Sequence, residues 1–163
     1  MTDIETARLV LHPVDEAEAR RVTAQAAGPD DRWATDYPFG GDLAAIGSFL
    51  RATEQSGDQR PFGHYRISTA ADGVVVGGVG FKGRPDGGRV EVGYGLAPSA
   101  RGHGYAAEAL RARLTVAAEH GVETVVADTA DDNVASQRTL VRAGFTRIGA
   151  EADLEYYEIR LGA

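Results

Sequence analysis

The chain has 163 residues, 43% of them hydrophobic and 25% charged, the usage of one folded globular domain and far from that of a disordered chain. A net charge of −7 argues against a nucleic-acid partner, because phosphate binding needs a basic face, and the absence of cysteine removes disulfide frameworks, thiolate metal sites and cysteine nucleophiles. No apolar run approaches the roughly 20 residues that cross a bilayer, and Met1-Thr2-Asp3-Ile4-Glu5 is not a basic segment leading into an apolar one, so a cytoplasmic protein with no membrane partner is expected.

Taken in chain order, Arg8 to Val14 alternates as a strand, and Asp15 is placed to cap a helix through Ala27. Gly28 to Gly41 is rich in Asp, Pro and Gly but holds Trp33, Tyr37 and Phe39, which reads as a loop with aromatic anchors; a helix from Asp42 to Gln55 follows. Three strands, Phe62 to Thr69, Val74 to Lys82 and Arg89 to Leu96, are joined by linkers so short that they must be antiparallel neighbours. A helix from Gly104 to His120 carries Ala106, Ala109, Leu110, Leu114 and Ala117 at helical spacing, with Gly121 placed to end it. A buried strand, Thr124 to Asp128, comes next. The last helix starts near Asp132-Asn133 and stops at Ala143-Gly144, and strands Phe145 to Gly149 and Leu154 to Leu161 close the chain. The order βααβββαβαββ defines a mixed α/β single domain over residues 1–163.

The segment from Glu91 to Leu110 is a strand, a glycine-bearing turn and a helix. Such an order builds an anion site, because the first backbone N–H groups of a helix lack partners and its dipole is positive there. Gly102 and Gly104 leave the backbone uncluttered, and Arg101 and His103 stand beside the same turn. A structural turn with no ligand explains the glycines equally well.

Arg101-Gly102-His103-Gly104-Tyr105-Ala106 resembles the Arg/Gln-x-x-Gly-x-Gly/Ala signature of GNAT acetyltransferases, and Asn133 to Phe145 resembles that family's second signature, Asn-x-x-Ser/Ala followed by Gly-Phe. Thr6-Ala7-Arg8-Leu9-Val10-Leu11 is also similar to the opening strand of the branch that acetylates ribosomal-protein N-termini. The resemblance implies a GNAT domain with a central, mostly antiparallel, splayed sheet flanked by helices. It further implies acetyl-CoA as co-substrate, no metal, and direct transfer to a primary amine in a ternary complex, with a homodimer among the forms the family takes. The backbone of Leu96, Ala97 and Pro98 would face the pantetheine arm, and Arg101 to Ala106 would hold the phosphates. Asn133 and Ser136, one turn apart, would bond the coenzyme, or Asn133 would only cap its helix. Arg138 and Arg142 would meet the adenosine phosphate or solvent. Since acetyl transfer is the family's activity, a CoA-binding sensor that has lost catalysis is the alternative.

An amine attacks a thioester only when neutral, so a proton acceptor is needed. On its strand Glu91 shares a face with Gly93 and Gly95, where it is a base facing open space or a surface carboxylate near Arg89. Many relatives carry a tyrosine on the last helix to protonate the leaving thiolate, and Val141 stands there instead; Ser136, Tyr105 or water are the substitutes. Trp33, Tyr37, Phe39 and His64 are candidates for the acceptor pocket, against local core packing as the other reading. Asp30, Asp31, Asp36, Asp42, Glu54 and Asp58 suggest an acidic rim and hence a cationic acceptor, a peptide N-terminus or a small amine.

Overall fold

Alternating burial along Leu9–Pro13 and Thr124–Ala130 marks strands with one face in the core, while Val75–Phe81 is buried on both faces. In the computed structural model, which describes residues 3–162, the elements are β1 (Ile4–Glu5), β2 (Leu9–Pro13), α1 (Glu16–Ala24), α2 (Gly40–Ser56), β3 (His64–Thr69), β4 (Val75–Phe81) and β5 (Arg89–Leu96). Then come α3 (Tyr105–Glu119), β6 (Thr124–Ala130), α4 (Val134–Arg142), β7 (Thr146–Glu151) and β8 (Leu154–Arg160). The predicted order holds, with a two-residue strand β1 and a 3-10 turn at Pro98–Ala100 in addition. Met1, Thr2 and Ala163 lie outside the described residues. The Asp15 carboxylate accepts from Glu18 N–H at 2.8 Å and starts α1 as expected. That helix stops three residues before Ala27, because Gln25 turns left-handed (φ 54°) and its N–H closes on Arg21 and Val22 carbonyls.

The eight strands form one sheet in the order β1-β2-β3-β4-β5-β6-β8-β7. Every pair is antiparallel except β5 with β6, and that parallel pairing runs only from Arg89↔Thr124 to Glu91↔Val126. Past Glu91 the two strands part, so β5 keeps β4 on one side and loses its strand partner on the other. This is the splay expected of the sheet.

Two apolar clusters fix the layers. Leu9, Leu11, Ile67, Val79, Phe81, Val90 and Val92 of the sheet pack with Ala109, Leu110 and Leu114 of α3 and Leu140 of α4. A second cluster joins Val14, Ala19, Val22, Tyr37, Ile46, Val75 and Ala97 under α1 and α2. The helices thus cover both faces and leave a cleft where the strands part.

Candidate active site

The cleft consists of two cavities that share Gly41, Tyr94 and Ser136. One, about 500 Å³, runs from Leu96 past Arg101, Gly102 and Gly104 to the start of α3, and is closed across the splay by Asn133, Ser136, Arg138 and Arg142 of α4. The other, about 570 Å³, lies between α2 and the floor formed by β4 and β5.

The first cavity ends in the turn that sequence singled out. Gly102 (φ 86°) and Gly104 (φ 80°) are both in the left-handed region, where a Cβ is strained, and no side chain caps α3. Its first-turn amides are therefore open to an anion. Glu108, an acid in that first turn, is drawn aside by Thr6 Oγ1 (2.6 Å) and by Arg8 N–H (2.9 Å) and Nε (2.8 Å). Arg101 sits with its guanidinium 5.2 Å from the centroid of Phe39, its Nε donating to Leu96 O at 3.2 Å. With Arg138 and Arg142 it brings three cations to this cavity. Helix N-terminus, glycine backbone and arginines together fit a phosphorylated, extended ligand such as coenzyme A.

Of the residues expected to hold the coenzyme, Leu96, Arg101, Gly102, Gly104, Tyr105, Ala106, Asn133, Ser136 and Arg138 line this cavity. Ala97, Pro98 and His103 do not. Ala97 is fully buried and its N–H donates to Val76 O at 2.7 Å. Pro98 opens the 3-10 turn, and the His103 ring stacks on Tyr105 while its carbonyl accepts from Arg8. Asn133 does cap its helix, its Oδ1 accepting from Ser136 N–H at 3.1 Å, while also lining the cavity.

At the junction Tyr94 Oη lies 2.8 Å from Ser136 Oγ and 3.1 Å from Ser136 O. Burial is the main cause pushing the Tyr94 phenol up to about 12, so it stays protonated near neutrality. Tyr94 is not among the residues the sequence singled out; its alternation with Gly93 and Gly95 was the available signal.

The second cavity is floored by main chain. In the antiparallel register Gly80 faces Gly93 and Gly78 faces Gly95, so four glycines share one face of β4 and β5. His64, paired with Gly80 from β3, lays its imidazole over the two on β4: a Cβ on Gly78 would meet its Nε2 and one on Gly80 its Nδ1. The ring is 5% exposed, its Nε2 has no partner, and desolvation, with Arg113 second, drives its pKa down to about 3. It is a neutral imidazole in the cavity wall.

Trp33 and Tyr37 line neither cavity, against the sequence expectation. They pack edge to face at 5.5 Å beneath α2, and the strand-like bridge Trp33↔Val75 ties their loop to the sheet. Phe49 of α2, which sequence did not single out, takes the aromatic place in the wall instead. Glu91 shares the face of Gly93 but is held by Lys82 Nζ at 2.7 Å and lines neither cavity. The acidic rim does not form at this cavity. Asp31 pairs with Arg21 at 2.7 Å, Glu54 with Arg20 at 3.4 Å and Asp58 with Arg60, while Asp36 binds Ser99. The charged residues that line this cavity are Arg51, Lys82 and Asp128.

A family model described as an acetyltransferase (GNAT) domain matches residues 8–146. The chain belongs to the GNAT acetyltransferases, and the fold just described is that of this class of enzyme. It is 28% identical over 124 residues to the uncharacterized N-acetyltransferase YjdG of Bacillus subtilis (strain 168), covering 75% of this chain and 74% of that protein. A GNAT-family acetyltransferase from Bordetella pertussis superposes with a TM-score of 0.70 at 27% identity, covering 97% of this chain and 99% of that one. The ribosomal L7/L12 alpha-N-protein acetyltransferase RimL, solved in complex with coenzyme A, shares the fold with a TM-score of 0.71 at 21% identity over 98% of each chain.

Proposed function

We propose that this chain is an acetyl-CoA-dependent N-acetyltransferase whose acceptor is a primary amine, a peptide N-terminus or a small amine, attacking directly in a ternary complex. The observation that carries the reading is the shared wall: donor and acceptor cavities meet at Tyr94 and Ser136, so two substrates bound side by side have their reactive ends in one place. Acetyl-CoA supplies an acyl group already activated as a thioester. The open amides of α3, with Arg101, Arg138 and Arg142, hold its phosphates, and the free edge of β5 past Glu91 leaves main-chain groups for its pantetheine arm.

On the leaving side, Ser136 and Tyr94 are the hydroxyl donors. Their mutual bond aligns both oxygens at the junction, where either can give the leaving thiolate a proton, the role the tyrosine absent at Val141 has in the relatives that carry it. Val141 itself is 62% exposed on the outer side of α4 and plays no part. The neutral His64 offers a hydrogen bond to the acceptor, and the mixed charge of Arg51, Lys82 and Asp128 gives no preference for a polycation.

The test is release of free thiol from acetyl-CoA against a panel of peptide N-termini, polyamines and amino sugars. Amine-dependent release is expected. Tight acetyl-CoA binding with no release for any amine would favour a CoA-binding sensor instead.

A further inference from the structure

Asp42 is the buried carboxylate of the cleft: it lines the coenzyme cavity and has no ion-pair partner among the described residues, whereas Asp128, also without one, lines the other cavity from an exposed position. It occupies the third position of α2 and is 2% exposed. Its Oδ2 reaches back to accept from Phe39 N–H at 3.1 Å, which fixes the side chain and starts the helix. Its Oδ1 has no hydrogen-bond partner at all and lies 3.5 Å from where a Cβ on Gly95 would stand. Gly95 and the neighbouring Tyr94 both line the coenzyme cavity, and Gly41, the residue before Asp42, lines both cavities. A buried carboxylate oxygen left without a partner costs stability unless something else uses it. Glu91, the base expected from sequence, is tied to Lys82 outside both cavities.

Resting on the transfer reading above, we propose that Asp42, rather than Glu91, accepts the proton that the acceptor ammonium must lose. The acceptor binds as its cation, its ammonium reaching past Gly41 from its own cavity to the coenzyme cavity that Asp42 lines, and one N–H proton passes to Oδ1. The freed lone pair forms the bond to the acyl carbon as the carbon–sulfur bond breaks, and the second N–H proton goes by way of Ser136 and Tyr94, or water, to the sulfur. Products are the N-acetyl amine and free thiol, and the proton on Asp42 is returned to solvent.

The charged and titratable groups around Asp42 suit this task. Arg101 from the turn before α3 favours the carboxylate, Tyr37 from the preceding loop is a neutral phenol whose pKa is raised by burial, and Tyr94 of β5 is protonated. Desolvation outweighs the Phe39 N–H bond and Arg101, and raises Asp42 to about 6, near the pH at which it would work. Because the folded value stands above the ordinary 3.8, the ionised form is the costly one: stability is least above pH 6 and rises as pH falls through about 6 towards 3.8.

Asp42→Asn keeps an oxygen to accept from Phe39 N–H, so α2 still starts in place. The expected result is kcat reduced roughly 10²–10⁴-fold with KM for acetyl-CoA unchanged, and loss of the acid limb of kcat near pH 6 that wild type and Glu91→Gln both show. Independently of turnover, the wild-type protein gains stability relative to Asp42→Asn as pH is lowered from neutrality towards 4 in denaturant titrations. Turnover of Asp42→Asn close to wild type, collapse in Glu91→Gln alone, or a stability difference that does not change with pH would each overturn the assignment. If wild type itself releases no thiol with any amine, the transfer reading falls, and the role of Asp42 falls with it.

Discussion

Tyr94 contributes its ring to the cleft wall and its hydroxyl to Ser136, and these two services separate on substitution. Tyr94→Phe keeps the packing and leaves Ser136 Oγ without its phenolic partner; a net loss of about 0.5–1.5 kcal/mol of alignment is expected, so kcat should fall several-fold with coenzyme A affinity unchanged by titration calorimetry. Sequence reasoning found Ser136 because it falls in a motif, and missed its partner because nothing in a linear pattern links positions 42 apart. Asp42 was legible only as one of six acids in a segment. What sets it apart is burial without an ion-pair partner: Asp30 is exposed, and Asp31, Asp36, Glu54 and Asp58 each found a partner, which depends on how the loop folds back. Trp33 and Tyr37 failed for a related reason: an aromatic in a loop with no period gives no sign of which way it faces.

At the scale of elements, hydrophobic period and turn chemistry gave every strand and helix of more than three residues, with ends displaced by one to three positions where a local bond intervened, as at Gln25. The turn into α3 was legible because its two left-handed positions demand glycine. Gly104→Ala is expected to cost roughly 1–2 kcal/mol through the positive φ and to weaken coenzyme A binding, while Gly121→Ala, also at positive φ but lining neither cavity, costs similar stability and leaves binding intact. Thermal melts with and without coenzyme A separate the two effects. Arg8 was legible as the start of a strand but not as a tether: it joins Glu108 at 2.7 Å and covers the Tyr105 ring at 4.8 Å, fastening β2 to the first turn of α3.

Over the whole molecule, two antiparallel groups of strands are joined by one short parallel contact, a topology the order βααβββαβαββ implied only through the family resemblance. The core also holds an uncompensated cation. Arg113 is fully buried between Tyr65 (3.8 Å) and Phe81 (4.8 Å), donates to Pro61 and Gly63 carbonyls, and sits close enough to His64 to help keep it neutral. Because His64 titrates at about 3 when folded and near 6.5 when unfolded, its contribution is complete above pH 6.5 and is lost as pH falls towards 3. His64→Gln should flatten that acid loss, read as unfolding free energy at pH 4.5 and 7.5; an unchanged slope would place the acid sensitivity elsewhere. The glycine floor has its own consequence. Gly78 and Gly80 are locked by the imidazole above them and Gly95 faces Asp42, but above Gly93 lies only the flexible end of Lys82, 3.3 Å from a Cβ. That single position is therefore where a lineage, or an engineer, can raise the floor one methyl at a time, narrowing one cavity in graded steps while the other, which Gly93 does not line, goes on unaltered.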